Sequence, residues 1–381
     1  MPIESQPHRA ILVIADDSAN WVVAGVRQLD RLALAANEFA INARERISLH
    51  IFWKDDPSTK QRWFPQDARL TNCIATEAGD VAGIEYEAII TTRVFIGRDA
   101  FAGVLAGLRQ TTSPRRLTAG EIELFPAQFA TRVRAMQTSK WWYLDSDDTD
   151  ATQHFLQTSG QTQDGFVSRT INRHISRAIT RHLLPLHVRP TTLTLGGFLF
   201  PILGFICLAE GSHTAQIIGA VLFLMHSIVS GCDGELARAK YRESVSGGRL
   251  DRLMNDLASG MLVVGTGLGL FRGDDGQSMI LAEGVLGGIL VVANGFFGSP
   301  RLTLIAPVVS SVPRRKTIFG SDVRLFLRSL IGAFEHFTNR DVAYPIFLAV
   351  VVFGRAEWFL HAVCLFMVVR LTLALRRSSA K

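Results

Sequence analysis

The sequence predicts an α/β domain followed by an all-α domain of six transmembrane helices. Two observations carry this. Charged residues are scattered up to about residue 163, whereas long apolar runs rich in Gly, Leu, Val and Phe dominate from Pro190 to Leu375. The first region alternates short apolar runs with helical periodicity, as in a parallel sheet crossed by helices. The second holds apolar stretches near the roughly 20 residues that a bilayer-spanning helix needs. The 381 residues leave room for both. The boundaries expected are 1–160 for the α/β domain, 161–189 for a linker with a basic interfacial helix, and 190–381 for the membrane domain.

Within the first domain, Ala10–Ala15 is a continuous apolar run with the character of a buried parallel strand. Asp16–Asn20 makes a turn, and a helical pattern follows through Leu29, Leu32, Leu34 and Phe39. Ile47–Trp53 and Ala88–Phe95 read as two further strands. The first nine residues are polar and the first apolar run is short, so no cleavable signal peptide is expected and this domain stays where it is made. The four cysteines, Cys73, Cys207, Cys232 and Cys364, are too widely spaced for a disulfide framework or a metal knuckle.

Two segments of this domain resemble sugar nucleotidyltransferases: Val22–Leu32, similar to the stretch after their phosphate loop, and Trp142–Asp147, similar to their late acidic stretch. Such enzymes cradle phosphates with the backbone N–H groups of a glycine-rich loop that carries a basic residue. The corresponding place here, Asp16-Asp17-Ser18-Ala19-Asn20, is acidic and lacks glycine. A nucleotidyltransferase-like scaffold without activity is therefore expected, with an active cytidylyltransferase as the alternative. The Asp145, Asp147, Asp148 and Asp150 cluster reads as a solvated linker.

After a turn-prone linker at Gln161–Gly165, Arg169, Arg173, Arg177 and Arg181 recur every four residues. Val167, Ile171, Ile175, Ile179 and Leu183 do the same on another face. This is a basic amphipathic helix suited to the headgroup region, with its arginines toward anionic lipid. The net charge of +6 is modest for a nucleic-acid binder and fits a membrane surface instead.

Six spans are expected at 192–208, 215–229, 253–271, 279–297, 342–353 and 358–375, with Leu304–Val312 a further apolar piece. Lys and Arg concentrate in the second and fourth connections and in the tail, so both termini fall on the cytoplasmic side. There is no internal repeat and the charges gather at one face, which argues against a transporter.

The stretch from Ser230 to Asp256 places charged residues among these spans, where they are costly and so point to function. Residues three and four apart share a helix face. Positions 230, 233 and 237 therefore line one side of the second span, and 247, 251 and 255 one side of the third. Facing each other, oxygen side chains there can hold divalent cations, and the cations can clamp a pyrophosphate.

Asp233, Gly234, Ala237, Arg238, Gly247 and Asp251 match the signature DG-x2-AR-x8-G-x3-D-x3-D of the CDP-alcohol phosphotransferase family. Asp164–Arg169, Asn172-Arg173, Pro190 and Thr194 resemble the entry to that domain in enzymes that make inositol-phosphate diesters and carry a nucleotidyltransferase domain in front. The resemblance implies a multi-pass membrane enzyme of phospholipid-type biosynthesis. Such an enzyme uses Mg²⁺ or Mn²⁺ and a CDP-alcohol donor, moves a substituted phosphate to an alcohol acceptor, releases CMP and forms a homodimer. Gly234 and Gly247 would admit the nucleotide, and Arg238 would bond phosphate or a carboxylate.

Two of the family's four aspartates are replaced, the first by Ser230 and the fourth, the family's base for the acceptor, by Asn255. Asn255 cannot accept a proton near neutral pH, although its carbonyl oxygen can ligate a cation. Losing two carboxylates leaves charge for one tightly held ion, with Ser230, Asp233, Asp251 and Asn255 as the ligand set. Asp256 could replace Asn255 only if the helix were rotated about 100° or unwound. Glu235 is a second spare carboxylate off the expected face, and His226 reads as a packed, hydrogen-bonded histidine rather than a base. Two readings stay open: an enzyme with altered metal ligation, and a non-catalytic relative that binds a CDP-alcohol or partners an active enzyme.

Overall fold

The computed structural model describes residues 8–54, 67–78, 86–97, 100–108, 130–131, 133–135, 138, 141–145, 149–158, 172–273, 278–297 and 340–378. The chain divides into two compact units. The first comprises Met1–Gly160 with Ala237–Arg242, and the second Gln161–Leu236 with Glu243–Lys381.

The first unit is built on β1 (His8–Ala15), flanked by β4 (Arg46–Trp53) on one side and β6 (Ala88–Thr91) on the other, with β5 (Cys73–Glu77) outside β4. All three pairings are parallel. Ile11, Val13, Ile47, Leu49, Ile51 and Ile90 are buried against Leu29, Leu32, Ala33, Ala36 and Ala40 of α1 (Gln28–Ala43). The α/β class predicted for this region is what forms.

Three local features differ from the sequence reading. Val22–Arg27 opens no helix but makes a hairpin, β2 (Val22–Val23) and β3 (Val26–Arg27). Ala24 and Gly25 turn it with φ of 48° and 72°, a left-handed pair that favours glycine. The strand expected over 88–95 splits in two, because Thr92 and Arg93 turn the chain out of the sheet. Residues beyond them form β7 (Val94–Ile96), which pairs antiparallel with β8 (Trp141–Tyr143). β5 was not anticipated at all.

At the place of the expected phosphate loop, Asp17–Asn20 forms a short 3-10 helix capped by Asp16, whose carboxylate accepts from Ser18 N at 2.8 Å. The same carboxylate pairs with Arg93 Nε at 2.6 Å, and Arg93 lies over the Trp21 ring. Burial alone would raise the Asp16 carboxyl, but the bonds from Ser18 and Arg93 outweigh it and hold the group below its ordinary value. Asp145 is exposed and paired with Arg134, while Asp147 and Asp148 lie outside the described residues.

Residues Ala237–Arg242 belong to the core of this unit. Tyr241 is buried with φ of 53° and donates its hydroxyl to Ile96 O at 3.0 Å. Arg31, 1% exposed, donates to Val23 O at 2.7 Å and Ala239 O at 3.3 Å, and stacks on the rings of Phe95, Phe155 and Tyr241. Burial lowers its pKa, and the aromatic faces supply part of the compensation that a carboxylate would otherwise give.

Every regular element among the described residues of the second unit is a helix. It contains α4 (Arg173–Leu183), α5 (Pro190–Gly197), α6 (Leu199–Glu210), α7 (His213–Ala239), α8 (Val245–Gly273), α9 (Ser278–Phe297), α10 (Arg340–Val352) and α11 (Ala356–Ser378). The numbering follows α2 (Phe101–Leu108) and α3 (Thr149–Thr158) of the first unit. Four stretches, Pro190–Glu210, His213–Ala239, Val245–Gly273 and Ser278–Gly295, are long and apolar enough to cross a membrane, and two shorter apolar helices lie at 342–352 and 356–369. These form an integral membrane unit. The predicted piece at Leu304–Val312 lies outside the described residues.

α4 departs from the expected pattern at Arg173. Its buried face is polar, formed by Arg173, Ser176 and Thr180, whereas Ile175 and Ile179 point outward with exposures of 43% and 38%. Arg173 therefore does not reach toward lipid, because Glu235 of α7 draws it inward at 3.0 Å.

Candidate functional site

α7 and α8 each carry half of the candidate cluster. The capping of α8 begins at Ser244, whose Oγ accepts from Gly247 N at 3.0 Å, an N-cap bond that satisfies one orphan donor of the first turn. A Cβ at Gly247 would sit 2.9 Å from that hydroxyl, so the cap itself disfavours any larger residue there. Downstream, Asp251 and Asn255 fall one turn apart on α8.

The helices meet where the spacing predicts. Ser230 Oγ of α7 donates to Asp251 Oδ1 at 2.9 Å, and Asn255 Nδ2 donates to the same oxygen at 2.8 Å. The two residues standing where the family has aspartates thus both serve Asp251 as donors. Asn255 is oriented by this contact, since its flipped amide would set Oδ1 against a carboxylate oxygen. Its Oδ1 is then a buried acceptor with no hydrogen-bond partner among the described residues. Asp233, 4% exposed, accepts from Thr194 Oγ1 of α5 at 2.5 Å.

Asp256, His226 and Glu235 make other contacts. Asp256 packs against α9, where a Cβ at Gly295 would collide with its carboxylate. α8 runs as helix from Val245 to Gly273 without the local unwinding that would bring Asp256 round. His226, 2% exposed, donates Nδ1–H to Gly197 O at 3.2 Å and so fixes α5 on α7. Glu235 points away from Asp233 into the α4 contact. Ala237 and Arg238 belong to the first unit. Sequence reasoning missed the role of Thr194. Its position a turn into a helix, next to the glycines Gly196 and Gly197, is a signal of close packing rather than of a ligand.

The described part of this cluster lies inside a segment, residues 187–297, that matches the sequence model of the CDP-alcohol phosphatidyltransferases. Curated relatives bear the name "Bifunctional IPC transferase and DIPP synthase". The one from Rubrobacter xylanophilus is 39% identical over 173 residues, 44% of this chain and 36% of that protein. The one from Thermococcus kodakarensis is 37% identical over 99 residues, 26% of this chain and 22% of the relative. The one from Archaeoglobus fulgidus is 39% identical over 92 residues, 24% and 18% respectively. The chain thus spans about a fifth to a third of the length of the relatives it matches.

CDP-alcohol phosphatidyltransferases use a divalent metal and a CDP-alcohol. Whether the residues present suit such an ion is decided by their oxygens. Among the described residues no group of three or more His, Cys, Asp or Glu could hold a metal, and Asp251 already accepts two donors on one oxygen. Two dications would face two carboxylates, which leaves them under-compensated. A single dication fits better, because a carboxylate keeps about four acceptor positions and Asn255 Oδ1 offers a buried oxygen without a donor.

Proposed function

We propose that this chain is a membrane phosphotransferase that moves a substituted phosphate from a CDP-alcohol to an acceptor hydroxyl and releases CMP. The observation that supports this most is the contact of Ser230 with Asp251 at 2.9 Å, which joins the two signature-bearing helices with Asp233 buried one turn along. Asp233, Asp251 and Asn255 Oδ1 would hold one Mg²⁺ or Mn²⁺. When bound, such an ion offsets the charge of the diphosphate and of the departing CMP.

In the transfer, the acceptor oxygen forms a bond to the phosphorus bearing the alcohol, and the pyrophosphate P–O bond breaks with its electrons leaving on CMP. The acceptor proton goes to a carboxylate. Asp251 is the one on α8 within the cluster, and Ser230 and Asn255 orient it by their donated bonds. Gly234, Ala237, Arg238 and Gly247 stand at the signature spacing and are assigned to donor binding.

The surrounding layout follows the same reading: six spans, both termini cytoplasmic by the distribution of Lys and Arg, a homodimer, no nucleic-acid partner, and a first domain that no longer uses CTP. The domain boundaries of this reading are 1–160, 161–189 and 190–381.

A second reading rests on a specific observation. Both replaced positions donate to Asp251, as in a site that binds a CDP-alcohol without turning it over. CMP release from labelled CDP-alcohols with Mg²⁺ or Mn²⁺, in purified protein and in Asp251→Asn, separates the two. Release above the Asp251→Asn background with glycerol-, inositol- or diacylglycerol-type substrates is expected. CDP binding with no release would support the non-catalytic reading.

A further inference from the structure

α7 carries the Ser230 and Asp233 side chains on one face and a different set of contacts on the opposite one. Glu235 lies two residues beyond Asp233, about 200° around the helix, and is 1% exposed. A carboxylate this deep needs several donors to offset the water it has lost. It has three, all from α4: Arg173 Nη1 at 3.0 Å, Ser176 Oγ at 2.8 Å and Thr180 Oγ1 at 2.8 Å. Arg173, Ser176 and Thr180 fall at spacings of three and four, so they form one continuous stripe of the helix.

The contact is close as well as polar. A Cβ at Gly231 would lie 3.4 Å from Ser176 Cβ, in ordinary van der Waals contact with α4. Cys232, fully buried, places Sγ 3.4 Å from Ser176 O. Three of the four residues between Ser230 and Glu235, counting Asp233 with its bond to Thr194, thus have a defined neighbour on α4 or α5.

We propose that Glu235 is a positioning residue: through Arg173, Ser176 and Thr180 it locks α4 onto the back of α7 and so sets the rotation at which Ser230 and Asp233 face Asp251. This rests on the proposed phosphotransferase reading for the activity it serves, but the lock itself is a property of α4 and α7 alone. The physical reason is directional. An apolar contact would allow α7 to roll by tens of degrees, whereas three hydrogen bonds converging on one carboxylate are satisfied together at only one rotation. α4 thus uses its polar face to hold the site and keeps Ile175 and Ile179 outward for the bilayer.

The test uses the full-length protein in detergent or nanodiscs, with two readouts on each variant. One is the fraction of Cys232 modified by a membrane-permeant maleimide, with Cys73, buried in the first unit, as the control for unfolding. The other is the Kd for CDP in the presence of Mg²⁺. Glu235→Gln puts an amide N–H against donors, and it is expected to raise Cys232 modification at least tenfold and weaken CDP at least tenfold while Cys73 stays protected. Thr180→Val should move both in the same direction by a smaller factor. Arg173→Lys, which keeps the charge, should stay within about threefold of the parent in both.

Cys232 protected and CDP affinity unchanged in Glu235→Gln would overturn the proposal. So would a rise in Cys232 modification with CDP affinity unchanged, since the contact would then be structural only. If the parent itself does not bind CDP, the phosphotransferase reading fails, and Cys232 modification alone then upholds or overturns the lock.

Discussion

Two places in this chain stand where a related scaffold would bind phosphate, and they have closed in different ways. In the first unit, the segment after β1 is folded on itself: Asp16 caps the 3-10 helix and pairs with Arg93, and Ser18 Oγ bonds Thr92 Oγ1 at 2.7 Å. Asp16, Ser18 and Asn20 each find a partner within the loop or its neighbour, and the charge presented is acidic. In the second unit, Asp251 is likewise satisfied internally, by Ser230 and Asn255, but Asn255 Oδ1 is left as a buried acceptor without a donor. A buried acceptor of this kind costs about 1–3 kcal/mol unless something completes it. On the proposed reading the first place takes no phosphate, while the second keeps an acceptor that a cation would complete.

The largest effect that would break this comparison concerns Asp233. Replacing it with Ala should lower CMP release by about a hundredfold or more, whereas Asp16→Ala in the first unit should leave release unchanged. Equal losses from both would show that the two places are not chemically different. Next in size is a gain: Ser230→Asp combined with Asn255→Asp restores two carboxylates and frees Asp251 from its donors. Release should rise by about tenfold, read against the single Ser230→Asp change. A loss of activity in the double variant would mean that the site works through the hydrogen bonds rather than despite them.

A smaller change is expected in stability. Arg93→Ala strips Asp16 of its cation and should destabilise the first unit by about 1–2 kcal/mol, read by thermal unfolding of the full chain, with CMP release unaffected. The smallest effect is the pH dependence of that same pair. Asp16 has a folded-state pKa below its ordinary 3.8, so its contribution is fully present above the unfolded value and is lost as pH falls through the folded one. Acid unfolding of the parent should therefore be steeper below about pH 4 than that of Arg93→Ala. Parallel acid limbs would show that the pair contributes nothing to the loop.

How much of this was legible in the sequence follows from the range of the interactions. β1 announces itself as an uninterrupted apolar run because both faces of a central parallel strand are buried, and β4 by Ile47, Leu49 and Ile51 in alternation with polar residues. β5 does not, since only Cys73 in Cys-Ile-Ala-Thr-Glu is buried and Ile74 is 57% exposed, leaving an edge strand with no apolar alternation. The hairpin at Val22–Arg27 was hidden by valines that also suit a helix entry, and its turn depends on a backbone conformation at Ala24 that composition does not signal. In the second unit, helix periodicity was enough to place Ser230 opposite Asp251. Spacing could not say that Ser230 and Asn255 would share one oxygen of Asp251, nor that Thr194 would bond Asp233, because both depend on rotamers set by neighbouring helices.

The burial of Arg173 has the same origin. Spacing separates an arginine row from an isoleucine row, but that Arg173 turns inward is set by Glu235, a residue about sixty positions away whose burial demands donors. A buried carboxylate needs hydrogen-bond partners more than two isoleucines need cover when lipid is at hand.

The central claim, that the second unit retains a site for one divalent ion where its relatives' signature carries four aspartates, is tested most directly by Mn²⁺ binding. Electron paramagnetic resonance titration of the purified chain in the presence of CDP should show one Mn²⁺ per chain, lost in Asp251→Asn. Two tightly bound ions per chain, or none, would contradict the account.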